Sequence, residues 1–152
     1  MAVKVKVSAP SLKSIQAELS KPSTQTFIAN SVIDLTKKFI ATGTSPVLGE
    51  RRFVPYKDKD KYPGDKKNSR PVNLYLSGQM LDAITFRLLK NSIQIGIWDK
   101  DQRKKAETHM FGLNGVPQRK FLPVEQGDQF NVTIARSMRS LYEKIVRGII
   151  KK

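Results

Sequence analysis

Ile84–Trp98, ITFRLLKNSIQIGIW, decides how this chain folds. Ile84–Leu89 and Ser92–Trp98 are two short runs of apolar and β-branched residues on either side of Lys90-Asn91. In the second run Ile93, Ile95 and Ile97 alternate with Gln94 and Gly96. That period of two is the signature of a strand with one buried face, and the two-residue break makes the pair a β-hairpin. Trp98 closes the second strand and reads as a large core residue whose ring N–H stays at the rim. A small sheet of this kind needs helices laid over its apolar face.

Two long helical stripes supply them. Pro22 marks a boundary, because the residue before a proline is pushed out of helical geometry. Ser23 or Thr24 then caps a helix carrying Ile28, Val32, Leu35 and Phe39 on one face, widened by Phe27 and Ile40; Gly43 stops it after Thr42. Asp128 caps the second helix, which runs over 128–150 with Phe130, Ile134, Met138, Leu141, Ile145 and Ile149 in one stripe, broadened by Tyr142, Val146 and Ile150. Shorter helices are expected at Ser11–Ser20 and at Val72–Asp82. Arg51–Val54 reads as a short strand. Val3-Lys4-Val5-Lys6-Val7 alternates apolar and basic residues, and is either a half-buried strand or an extended arm within 1–10 that joins a neighbour's sheet. The expectation is one α+β domain over 1–152, with a small antiparallel sheet of three to four strands packed against two long amphipathic helices.

Charge dominates the composition. Lys and Arg number 28 against 13 Asp and Glu, a formal net charge of +15 in 152 residues. Such an excess attracts a polyanion, whether nucleic acid, an anionic membrane or an acidic protein surface. Phosphate attraction of this kind carries no base information. The positive residues concentrate in two places. Residues 51–70 hold eight Lys or Arg against three Asp; Arg51, Arg52, Lys57, Lys59, Lys61, Lys66 and Lys67 are candidate contacts to DNA or an acidic partner. Most of them belong to a long loop over 55–70, where Tyr56 and Tyr62 either stack on bases or pin the loop down. The last helix carries Arg136, Arg139 and Arg147 opposite its apolar stripe.

The catalytic inventory is nearly empty. There is one histidine and no cysteine, which excludes His clusters, Cys–His pairs and thiolate zinc sites. No nucleophile elbow, Walker loop or dinucleotide fingerprint occurs. The Asp58, Asp60 and Asp65 spacing lacks the closing glutamate of a calcium loop and has lysines between its acids. A non-enzymatic protein with no cofactor is expected. No apolar run approaches the roughly 20 residues needed to cross a bilayer, so no membrane partner is expected. The short apolar start MAVKVKV does not read as a secretory signal, and synthesis in the cytoplasm follows.

A third stretch carries most of the functional signal: Ala106–Pro123, AETHMFGLNGVPQRKFLP. A helix ends at His109-Met110-Phe111-Gly112, with Gly112 free to take positive φ. An Asn114-Gly115 turn follows, then a stiff segment between Pro117 and Pro123. This is a connector that must hold a fixed shape. His109 reads as a structural hydrogen-bonding residue where helix meets connector. Phe121 and Leu122 are either core residues or interface anchors.

The order helical Ala, His-x-Phe-Gly, glycine-bearing turn, Pro-x-Arg-x-Phe-Leu-Pro resembles the virion-morphogenesis and tail-completion family of tailed phages. VNLYLSGQM at Val72–Met80, followed by Leu81-Asp82-Ala83-Ile84, is similar to that family's helix ahead of a β-hairpin. The resemblance covers roughly Phe53–Pro123; Lys120 departs from it, where a second proline often stands beside the motif arginine. It implies a structural component of the virion neck or head-proximal tail end, joining head to tail or completing the tail. It also implies self-association into a ring, a hexamer by resemblance, around the DNA channel and against connector or tail-tube proteins. His109, Phe111, Gly112, Pro117, Arg119, Phe121 and Leu122 would then face subunits or partners, with Arg119 paired to a neighbour's carboxylate or carbonyl. The resemblance tips Phe121 and Leu122 toward the interface. A stand-alone, sequence-nonspecific nucleic-acid-binding protein is the alternative.

Overall fold

The computed structural model describes residues 2–6, 13–55, 72, 74, 78–90 and 92–150. Lys57, Lys59, Lys61, Lys66 and Lys67, with most of the 55–70 loop, lie outside them. The elements are β1 (Ala2–Lys6), α1 (Lys13–Leu19), α2 (Pro22–Ala41), α3 (Gln79–Asp82), β2 (Ile84–Leu89), β3 (Ser92–Ile97), α4 (Lys100–Phe111) and α5 (Val132–Ile150). The architecture is α+β, with a three-stranded antiparallel sheet packed against helices.

The hairpin forms as its alternation requires. Ile84 pairs with Ile97, Phe86 with Ile95 and Leu88 with Ile93. On the other side of β3, β1 pairs antiparallel, Val3 opposite Ile95 and Val5 opposite Ile93. The N-terminal alternation is therefore a strand of the chain's own sheet, in the order β1–β3–β2. Arg51–Val54 is not a fourth strand. The chain over 43–53 closes on itself instead, Phe53 N–H donating to Gly43 O and Ser45 N–H to Arg51 O, with a single bridge between Thr44 and Arg52.

α2 packs against β2 and β3, and α5 lies along α2 and α1. The buried stripe of α2 is Gln25, Ile28, Ala29, Val32, Ile33, Thr36 and Ile40. It is turned from the expected one: Leu35 and Phe39 are half-buried and Phe27 is exposed. Two polar residues on the buried face hide the true centre, and Thr36 satisfies its hydroxyl by donating to Val32 O. Pro22 itself opens the helix after Lys21, with no side-chain cap from Ser23 or Thr24. Proline suits that first position because its missing N–H has no helical partner there.

Two further expectations are corrected. Asp128 does not cap α5. Asn131 does, its side-chain oxygen accepting from Thr133 N–H at 2.9 Å, while Asp128 accepts from Glu125 N–H within the preceding turn. Of the helix expected over 72–82, the described residues that are helical are Gln79–Asp82. Leu74 has φ 56°, a left-handed conformation that no α-helix contains.

Candidate interface around the connector

The connector is built by the end of α4. Gly112 terminates that helix at φ 65°, and a Cβ there would lie 3.2 Å from both Cβ and N of Gln118. Glycine is required twice over, by conformation and by space. A 3-10 turn over Leu113–Gly115, with Asn114 at φ 55°, reverses the chain. The returning segment runs back along the last turn of α4. Arg119 N–H donates to His109 O at 2.7 Å and Gln118 Nε2 to Met110 O at 3.0 Å. These bonds engage carbonyls at the helix end that have no intrahelical partner.

Arg119 then fastens the connector to the 43–55 segment. Its side chain is buried; Nε donates to Val54 O at 2.8 Å and Nη2 to Pro55 O at 3.1 Å. Nη1 lies 3.4 Å from His109 Nδ1. A guanidinium only donates, so Nδ1 accepts and the imidazole proton sits on Nε2. Burial, reinforced by the Arg119 charge, lowers the His109 pKa from 6.5 to about 4, so the ring is neutral at physiological pH. One residue on, Lys120 O accepts from Ser45 Oγ, and the Lys120 ammonium pairs with Glu125 and Asp128. The Glu125 hydrogen bond is the main reason its pKa is raised.

The consequence for the expected interface is specific. Phe121 and Leu122 are fully buried within this one chain, which corrects the reading of both as anchors on a partner. Arg119 is likewise engaged inside the chain, not offered to a neighbour's carbonyl. Gly112 and Pro117 are half-buried, and His109 faces Arg119. Phe111 alone of the seven is substantially exposed, at 39%, and Leu113, not anticipated, is exposed beside it at 47%. An apolar residue in a tight turn, outside any periodic stripe, was the available signal for Leu113.

The basic residues divide similarly. Arg51, Arg52, Arg136, Arg139 and Arg147 are exposed, Arg147 standing 4.0 Å from Glu143. α4 adds Lys100, Lys104 and Lys105, all exposed and without an ion pair among the described residues; the neighbouring Arg103 is paired to Glu107. This face was not legible as basic because Asp101 and Glu107 dilute it in sequence. On the hairpin, Arg87 stacks over the half-buried Trp98 ring at 4.6 Å, a cation–π contact. Among the described residues no group of three His, Cys, Asp or Glu is placed to hold a metal ion, and no helix is long and apolar enough to cross a membrane.

Comparison with protein-family models, with curated proteins and with solved structures gives no match. What the arrangement offers chemically is a hydrogen-bonded corner that exposes Phe111 and Leu113, entered by a helix whose Lys100, Lys104 and Lys105 are exposed.

Proposed function

We propose that this protein is a non-enzymatic structural component of a tailed-phage particle, acting in tail completion or head–tail joining at the neck. The reading rests on one observation, the ordered resemblance from Val72 to Pro123: short helix, hairpin, His-x-Phe-Gly helix end, Pro-x-Arg-x-Phe-Leu-Pro. Its support in the fold is that α3 packs on α4 and on β2, so the two motif blocks belong to one packed unit. In this role the connector is a scaffold. Arg119, Phe121 and Leu122 hold its shape from within, and Phe111 and Leu113 are what it shows to a neighbour.

By the same resemblance the subunits form a ring, with six copies the expectation, made in the host cytoplasm and built into the virion against connector or tail-tube proteins. A net charge of +15 suits a lumen that DNA traverses, since phosphate attraction is indifferent to sequence. The exposed lysines of α4 favour a second reading, a stand-alone nonspecific nucleic-acid-binding protein. The test is infection with a phage genome in which this reading frame is interrupted, with lysates viewed by electron microscopy. The structural role predicts filled heads and finished tails lying separate. Normal virions would remove it.

A further inference from the structure

β1 lies at the margin of the sheet, hydrogen-bonded to β3 along one side, and among the described residues its other side pairs with nothing. Beside it is a groove of about 410 Å³, walled by Val3 of β1, Pro123 of the connector, and Phe130, Met138, Arg139 and Tyr142 at and along α5. Its wall is mostly apolar. Tyr142 stands half-buried on this wall; its hydroxyl is closed to solvent and has no hydrogen-bond partner among the described residues, and burial raises its pKa. Asp128, the acid on this wall, is already engaged by Lys120 and Glu125 N–H.

We propose that the open edge of β1 and this groove form a docking site for an extended acidic segment of a partner protein, added as a fourth strand. An unpaired strand edge offers main-chain donors and acceptors, and a groove beside it selects alternate side chains of the incoming strand. The choice of an acidic occupant rests on charge. β1 reads AVKVK, with lysine at every second position; Arg139 stands at the groove and the chain carries +15. Lysines on an edge strand discourage pairing with a second copy of the same edge. The other open edge, β2, carries Arg87 and no acid, so a second copy of this chain meets like charge on either side. A segment alternating apolar and acidic residues meets Val3, Phe130 and Met138 with one set, while its acids answer the positive charge of the chain. This inference is independent of the virion reading, because any acidic partner strand satisfies it.

The probe is a fluorescent, acetylated and amidated peptide of alternating valine and glutamate, titrated into the full chain. Saturable binding is expected, with new hydrogen-exchange protection at the β1 amides. Methylating alternate peptide nitrogens on one edge should abolish binding, while methylating those on the opposite edge should not. A valine–lysine peptide should not bind. Arg139→Glu should weaken binding at low salt. Three outcomes overturn the proposal: no binding at millimolar peptide, equal binding of both methylated peptides, or β1 amides already fully protected in the free protein. The last would assign the edge to a second copy or to another part of this chain.

Discussion

Acid should loosen this protein through one imidazole. His109 is held neutral with Nδ1 toward the Arg119 guanidinium, its pKa lowered from 6.5 to about 4. Above the unfolded value neither state binds the proton, and the stability is whole. As pH falls from about 6.5 toward about 4 the unfolded chain takes up a proton that the folded chain refuses, so stability drops by about 1.4 kcal/mol per pH unit. The loss is complete near the folded value, with a ceiling of about 3 kcal/mol, and reaches roughly 2.5 kcal/mol by about pH 4.5. Carboxylates titrate in the same window, so the effect must be read as a difference between two proteins. His109→Asn keeps an acceptor near Nδ1 but cannot titrate. Urea unfolding of both at about pH 7 and about pH 4.5 should show the wild type losing roughly 2.5 kcal/mol more than the variant. Equal losses would mean that His109 is not held neutral against Arg119, and the clamp as described would be wrong.

Three other outcomes follow from the same geometry. Phe121→Ala should destabilise the isolated chain by about 3–5 kcal/mol in thermal or urea unfolding, because the ring is fully buried; a change near zero would return Phe121 to a partner's surface. Arg119→Lys should cost about 2 kcal/mol or more, since one ammonium cannot replace the fork that reaches Val54 O and Pro55 O; unaltered unfolding would show that the connector is held elsewhere. Replacing Lys100, Lys104 and Lys105 together by Gln should flatten the salt dependence of duplex DNA binding by about 3 in log–log slope if all three meet phosphates. An unchanged slope would place DNA on another face.

The hairpin was legible because β3 alternates strictly and its partner is two residues away. β1 was legible as an alternating pattern, but its partner, β3, lies some ninety positions along the chain, and pattern alone cannot choose between a chain's own sheet and a neighbour's. α2 is legible from Pro22, Gly43 and its period, yet its buried face is turned from the apolar stripe, since Gln25 and Thr36 take core positions that a purely apolar count passes over. Asp128 and Asn131 are both good capping residues, and which one serves depends on the turn at 125–128, a tertiary matter. The connector was recognised as rigid from Gly112, Pro117 and Pro123. The burial of Phe121 was not legible, because an extended segment has no period to reveal its inner side. What buries it is the docking of 43–55 through Arg119 and Ser45, contacts more than sixty positions apart.

Joining itself is the most direct measure of the proposed role. Heads and tails accumulated in an infection lacking this protein can be mixed with the purified chain and plated for infectious particles. The titre should rise with added protein and then saturate, the restored virions carrying the protein at the neck. A titre that stays at background with folded, full-length protein, while the same heads and tails are joined by untreated wild-type extract, would contradict it.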